Sequence, residues 1–311
     1  MSASPQRRAE PIDLVAVDPA DNGVSDLTAF DLLRQGYERG IDGALVTITE
    51  VIGGAPRPLG THMAALSDGR YCGHVSGGCV EAGIARAAID MIASGRGGVI
   101  RIGAGSPWID LRLPCGGGLV LQVAVAPDPD LVAGVAAAIR ERDEFSMAIT
   151  PAFARDERAR ATGWHDGTFH RRYVPDLRLI VAGEGREAST LADIARASGI
   201  AVRRLSMRDD LAAAVDRRTA IVILDHEHGR EQPALLQSLA TDAFYIGAMG
   251  SLRTHAMRCD ELRRSGVPES ALDRIHGPIG VVDRARDSRA LAFSILAEIS
   301  REAARDEAAE R

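Results

Sequence analysis

Between residues 177 and 305 the chain alternates short apolar runs with helix-length runs, and this rhythm constrains the fold more than anything else in the sequence. Strand-type runs stand at Leu177–Val181, Ala201–Leu205, Ala220–Leu224 and Ala243–Ile246. Helical patterns lie between and after them: one ending at Ser198, then Asp209–Asp216, Pro233–Ala240, Leu252–Ser265 and Ser288–Ala304. Such alternation predicts a Rossmann-like, doubly wound parallel sheet. The first strand runs into Gly183-x-Gly185-x-x-Ala188, which opens a helix where a dinucleotide fingerprint belongs. Its glycines make a tight turn, and the helix start supplies N–H donors to a pyrophosphate. The acid that holds ribose hydroxyls is expected about 20 residues on. There the chain reads Arg204-Leu205-Ser206-Met207-Arg208. Two readings stay open: an NAD(P) site in which Arg208 meets a phosphate, or a turn that binds no NAD.

The first half is patterned differently. Strands are expected at Gly43–Val51, Gly98–Ile102, Leu119–Val125 and Phe145–Thr150, with a hairpin joining His62–Leu66 to Arg70–Val75 across Ser67-Asp68-Gly69. Helices are expected from Ser25 to Arg39, from Val80 to Ala93 and from Leu131 to Arg142. This is an α/β domain with a mixed sheet. A length of 311 residues suits two domains. The expected division is a flexible lead-in over 1–24, a first domain over 25–154, and an irregular hairpin and linker over 155–176. A second domain over 177–305 and a polar tail over 306–311 complete it.

Two glycine-rich stretches each carry one thiol: Ser76-Gly77-Gly78-Cys79-Val80-Glu81 and Leu113-Pro114-Cys115-Gly116-Gly117-Gly118-Leu119. Glycine allows φ > 0 and lets a ligand approach backbone N–H groups. The first stretch opens a helix, so its amides are a candidate anion site, and the helix dipole favours a thiolate at Cys79. Glu81 is placed to accept a proton or a ligand N–H. A tight turn with Cys79 packed as a small hydrophobe is the competing reading. Cys115 sits between a proline and three glycines, neighbours that a core cysteine does not need. Cys72 and Cys259 fall in a strand and a helix and read as packing. Gly247-Ala248-Met249-Gly250-Ser251, with Arg253 behind it, is a further candidate anion-facing loop after a strand. His226-Glu227-His228 reads as a polar loop before it reads as a metal site.

A net charge of -6 with no basic stripe argues against a nucleic-acid partner. No apolar run is long enough for a membrane span. The polar N-terminus carries no secretory h-region, so the expected compartment is the cytoplasm, with reduced thiols.

Taken together, these stretches resemble the XdhC/CoxI family of xanthine dehydrogenase accessory proteins. The resemblance rests on Gly54-Ala55-Pro56-Arg57-Pro58-Leu59-Gly60, on Gly73-x-Val75 through Glu81, and on Leu113 through Gly117. It continues in Tyr245 through Thr254, in Arg274 through Gly280 and in Ser294 through Ile299. It implies a molybdenum cofactor chaperone, an accessory factor more than a turnover enzyme. Such a protein binds molybdopterin or its cytosine dinucleotide form, supports sulfuration with a cysteine desulfurase, and delivers the cofactor to a xanthine dehydrogenase-type hydroxylase. A homodimer is also implied. The cofactor-binding residues expected are Ser76, Gly77, Gly78, Cys79, Glu81, Cys115, Gly116, Gly117, Gly183, Gly185, Gly247, Gly250, Ser251 and Arg253, with Cys79 and Cys115 as contacts to molybdenum. The chain departs from the family at Ser206 and Met207, at Glu184 and Arg186, and at Val281-Val282-Asp283-Arg284. The alternatives are an NAD(P)-dependent oxidoreductase and a sulfurtransferase using Cys79 or Cys115.

Overall fold

A computed structural model describes residues 12–17, 26–54, 57–76, 78, 80–103, 117–150, 153–156, 160–207, 209–212, 215–225, 229–282 and 285–309. Contacts divide the chain into two units, Met1–Val174 and Pro175–Arg311. No helix among the described residues is long and apolar enough to cross a membrane.

Unit 1 contains, in chain order, β1 (Val15–Ala16), α1 (Asp26–Tyr37), β2 (Gly43–Ile52), β3 (His62–Leu66), β4 (Arg70–Cys72), α2 (Glu81–Ser94), β5 (Gly98–Ile102) and β6 (Gly118–Val125). These are followed by α3 (Pro129–Glu141), β7 (Phe145–Ile149), β8 (Phe153–Asp156), β9 (Gly163–His165) and β10 (Thr168–Tyr173). Six strands form a mixed sheet in the order β1-β4-β3-β2-β6-β5. Alternation along β2 supplies both of its faces. Ala44, Val46 and Ile48 share a core with Ile84, Ala85 and Ala88 of α2. Leu45 joins the opposite core, with Phe30 and Leu33 of α1 and Val132 and Val135 of α3. Phe145, Met147, Phe169 and Tyr173 of a second sheet, ordered β8-β7-β10-β9, complete that second core. His62 pins the two sheets together. Its Nδ1 lies 2.9 Å from Thr47 Oγ1, and its Nε2 is hydrogen-bonded to the Tyr173 hydroxyl.

Two stretches of unit 1 differ from the sequence reading. Part of the lead-in is a strand: Val15 and Ala16 pair in parallel with Arg70 and Tyr71. Gly69 permits this, since a Cβ there would stand 2.1 Å from the Asp13 carbonyl. The hairpin expected over 155–176 is present but regular: β9 and β10 pair antiparallel across Asp166 and Gly167. Its polar residues mask the strand period. Phe169 and Tyr173 are buried, while Arg171 packs over the Tyr173 ring and bonds Asp26 at 2.9 Å.

Unit 2 contains β11 (Arg178–Ala182), α4 (Arg186–Ala197), β12 (Ala201–Leu205), β13 (Thr219–Ile223), α5 (Gln232–Leu239), β14 (Tyr245–Ala248), α6 (Leu252–Arg264), α7 (Glu269–Leu272), β15 (Ile275–His276) and α8 (Ser288–Ala309). The sheet is parallel throughout, in the order β12-β11-β13-β14-β15. One face packs α4 and α8 through Leu191, Ala195, Ile295 and Ile299. The other packs α5 and α6 through Ala234, Leu235 and Leu262. The fold class is therefore the expected one, a mixed-sheet unit followed by a doubly wound one. The strand order reverses between β11 and β13, and ligands of such sheets bind at the carboxyl ends beside that reversal.

The helix expected over Asp209–Asp216 is not formed among its described residues. The Asp209 carboxylate accepts the Ser206 N–H at 2.7 Å, and that of Asp210 accepts the Ala212 N–H at 2.9 Å. Aspartates that bond nearby amides in this way compete with helical hydrogen bonding.

Candidate functional site

In unit 1 the ladder from β4 through β3, β2 and β6 to β5 is antiparallel at every step. The exits of β4, β2 and β5 and the entries of β3 and β6 therefore lie along one edge. Gly73 leaves β4 there, Gly53 leaves β2, Gly103 leaves β5, and Gly117 leads into β6. Three of these segments touch backbone to backbone. A Cβ on Gly117 would stand 2.5 Å from the carbonyl oxygens of Ile52 and Gly54, and one on Gly103 would stand 3.2 Å from Gly118 Cα. Only glycine admits that approach. Gly77, Cys79, Cys115 and Gly116 lie outside the described residues. The chain on either side of Cys79 and immediately after Gly116 is described, and it roots both thiol stretches at this edge.

Glu81 organises the first of those stretches. It opens α2 and is only 4% exposed. Its Oε1 accepts the N–H groups of Val75 at 3.1 Å and Ser76 at 2.8 Å. Its Oε2 accepts the Ser76 hydroxyl at 2.9 Å and the Val80 N–H at 3.1 Å. Burial pushes the carboxyl up, but the hydrogen bonds from Ser76 and from the Gly78 amide outweigh it and hold the group below its ordinary value. The carboxylate is thus ionised at neutral pH. Successive amides at a helix start form a ready anion site, and here the chain's own carboxylate takes those of Val75, Ser76 and Val80. The sequence reading gives these amides and Glu81 to a ligand; the structure joins them to each other. Gly78 is exposed at φ +106, with nothing within 4 Å of where a Cβ would stand.

In unit 2 the fingerprint turn sits at the switch point. Gly183 is buried at φ +148, and a Cβ there would stand 2.3 Å from the Leu224 carbonyl oxygen. The turns after β11 and β13 thus touch through their backbones. Gly183→Ala is expected to destabilise unit 2 by about 2 kcal/mol through a strained φ and this clash. Faster hydrogen exchange of the β11 amides, by about 30-fold, is the measurement that checks it. Gly185 is exposed and precedes α4; a Cβ there would stand 3.0 Å from a Glu187 carboxylate oxygen. Arg204 frames the turn, donating to the Gly183 carbonyl at 3.3 Å and the Ser189 hydroxyl at 3.1 Å.

The turn after β14 divides the remaining expected residues. Ser251 caps α6 by accepting the Thr254 N–H at 3.1 Å, and Arg253 is exposed in the first turn. Gly250, at φ +146, lies close against Thr254. Gly247 is elsewhere, buried inside β14, where a Cβ would stand 2.4 Å from Ile279 Cδ1 and 2.7 Å from the Tyr245 ring. Its glycine serves strand packing. Among the described residues no His, Cys, Asp and Glu cluster is arranged to hold a metal ion, and His226 and His228 fall outside them.

Two polar centres escape sequence reasoning. Arg258 and Glu231 form a buried ion pair across 27 positions, with Nε to Oε1 at 2.6 Å. Glu298 of α8 accepts the Tyr245 hydroxyl at 2.7 Å and the Gly280 N–H, and so holds the turn after β15. No local motif marks such partners, because each pair meets only once the sheet is wound.

Residues 37–103 match the family described as XdhC and CoxI, and residues 179–299 match the XdhC Rossmann domain. The molybdenum cofactor insertion chaperone PaoD of Escherichia coli strain K12 is 38% identical over 265 residues, covering 84% of this chain and 83% of that protein. A crystal structure described as a xanthine dehydrogenase from Bacillus halodurans superposes with a TM-score of 0.66 at 18% identity, covering 88% of this chain and 95% of that one. At that identity the likeness concerns the fold alone.

Proposed function

The chain belongs to the XdhC and CoxI family, and from that premise we propose that it is a molybdenum cofactor insertion chaperone. On this reading the cofactor is cargo. The protein holds it, supports its sulfuration by a cysteine desulfurase, and passes it to a xanthine dehydrogenase-type hydroxylase, as a cytoplasmic homodimer. One observation carries the reading: the likeness to an insertion chaperone extends over most of both chains. The geometry supports it in two places. The described residues beside Cys79 and the Gly117 that follows the Cys115 stretch lie at one edge of the unit 1 sheet, which supports one shared ligand for the two thiols. Soft thiolates suit a molybdenum–sulfur centre. In unit 2 the glycine turn at Gly183 leads into the start of α4 at the switch point, a place suited to a phosphate or to the pyrophosphate of a dinucleotide form.

The oxidoreductase alternative gains nothing from the turn after β12. Ser206 stands where the ribose acid belongs, and the Asp209 carboxylate is engaged by the Ser206 amide. The test is equilibrium binding of purified molybdenum cofactor, beside NADH and NADPH, to the wild type and to Cys79→Ala and Cys115→Ala. Cofactor binding weakened by about tenfold or more in each variant is the expected result, at about 1.4 kcal/mol per decade. Nicotinamide binding without cofactor binding would overturn the reading.

A further inference from the structure

Two side chains one turn apart on α6, His255 and Arg258, tie together the chain that follows three successive strands of unit 2. Arg258 is 2% exposed. Its Nε and Nη2 donate to the two carboxylate oxygens of Glu231 at 2.6 and 3.0 Å, and Glu231 ends the loop after β13. The same Nη2 donates to the carbonyl of Met249, the first residue after β14, at 2.6 Å. Nη1 lies 3.5 Å from His255 Nδ1. The His255 ring in turn lies against Gly277, the first residue after β15, where a Cβ would stand 2.3 Å from Nδ1 and 2.8 Å from Cγ. Burial and the Arg258 charge hold the His255 imidazole below its ordinary value, so the ring is neutral and its nitrogen can face a guanidinium.

A buried ion pair is weak as a source of stability, because removing both charges from water offsets their attraction. What this pair supplies is geometry. The guanidinium is a rigid planar fork, and no other side chain meets a carboxylate in two parallel bonds while reaching a third acceptor. Met249 and Gly277 directly follow β14 and β15, at the carboxyl ends of the strands, where ligands of doubly wound sheets bind.

We propose that Arg258 is a positioning residue for ligand binding at this edge: it sets Glu231 at the start of α5 and the turn after β14, and through His255 the turn after β15, before a phosphate-bearing ligand arrives. The inference rests on the chaperone reading for the ligand's identity, but not for the order of the loops. The Met249–Ser251 segment that Arg258 fixes leads directly into the first turn of α6, where Ser251 takes the Thr254 N–H and the exposed Arg253 is suited to phosphate.

The test uses the full chain and two variants. Arg258→Met with Glu231→Leu removes both charges at similar volume, so no lone charge is left buried. Arg258→Lys keeps the charge and loses the fork. Three quantities are read: the urea midpoint, hydrogen exchange of residues 229–231 and 249–254 without ligand, and affinity for molybdenum cofactor. The double variant is expected to keep its midpoint while exchange in both segments rises by about tenfold and affinity falls by about tenfold. Arg258→Lys is expected to fall between it and the wild type. Slow exchange and full affinity in the double variant would overturn the proposal. A wild type that binds no cofactor would sink the chaperone reading instead, and the exchange data would still decide whether Arg258 orders the loops.

Discussion

Glu81→Ala is expected to destabilise unit 1 by about 3 kcal/mol and to abolish cofactor binding. The side chain takes two N–H groups on one oxygen and an N–H and a hydroxyl on the other. A hydrogen bond to a charged group contributes about 1.5–3 kcal/mol, and each buried donor left unpaired costs about 1–3. The full sum is not reached, because water enters the space of the deleted carboxylate and takes some of the donors. Glu81→Gln keeps the shape but turns an NH₂ toward donors, so it is expected to lose about half as much. Both tryptophans, Trp108 and Trp164, lie in unit 1, so their fluorescence during urea unfolding reports that unit. The acid dependence has a definite sign. The folded-state carboxyl titrates below its ordinary value, so its stabilisation is present above about 4.3 and is lost as the pH falls further. The gap between wild type and Glu81→Gln should therefore close in acid. Wild-type midpoint and wild-type affinity in Glu81→Ala would show that the carboxylate does not hold the Cys79 loop.

Much of this architecture is legible in the residues, and the illegible parts share a cause. Period and punctuation reveal the parallel sheet of unit 2 and the turn at Gly183, because strand–turn–helix units are local. The neighbour order of the strands is not local, so the reversal between β11 and β13 has no signature in either strand. The thiol stretches stand out by composition, yet their common root at one edge depends on how five strands pair. Glu81 is visible as an acid at a helix start, a position favoured by the dipole. Its inward turn toward Val75 and Ser76 depends on a loop conformation that composition does not specify. Asp209 and Asp210 show the opposite failure. They read as a helix start, but each side chain finds a nearby amide and no α-helix forms among the described residues. The hairpin of β9 and β10 is legible only as an irregular one, because Arg171 shares the face of Phe169 and Tyr173 and breaks the apolar period.

A second large effect is expected from pH alone. Between pH 7 and pH 5 unit 1 should lose about 2 kcal/mol of stability through His62. The imidazole is 4% exposed, and burial first, then the nearby Arg171 charge, lowers its value from 6.5 to about 4 despite the opposing pull of Asp26. The unfolded chain therefore takes up a proton near pH 6.5 that the folded chain refuses until about pH 4. Stability from this group is complete above that window and falls as the pH descends through it. The lost hydrogen bonds are not the reason. Thr47 and Tyr173 meet the ring with hydroxyls, and a hydroxyl accepts from an imidazolium as readily as it donates to an imidazole. The penalty is the buried charge itself. His62→Gln offers one donor and one acceptor without titrating, so its urea midpoint should be nearly flat from pH 7 to pH 5 while that of the wild type drops. Carboxylates contribute little in this interval, since their unfolded values lie near 4, so the difference between the two slopes isolates the histidine. Parallel slopes would mean that His62 carries its charge in the folded protein, and that the contact between the two sheets of unit 1 admits water.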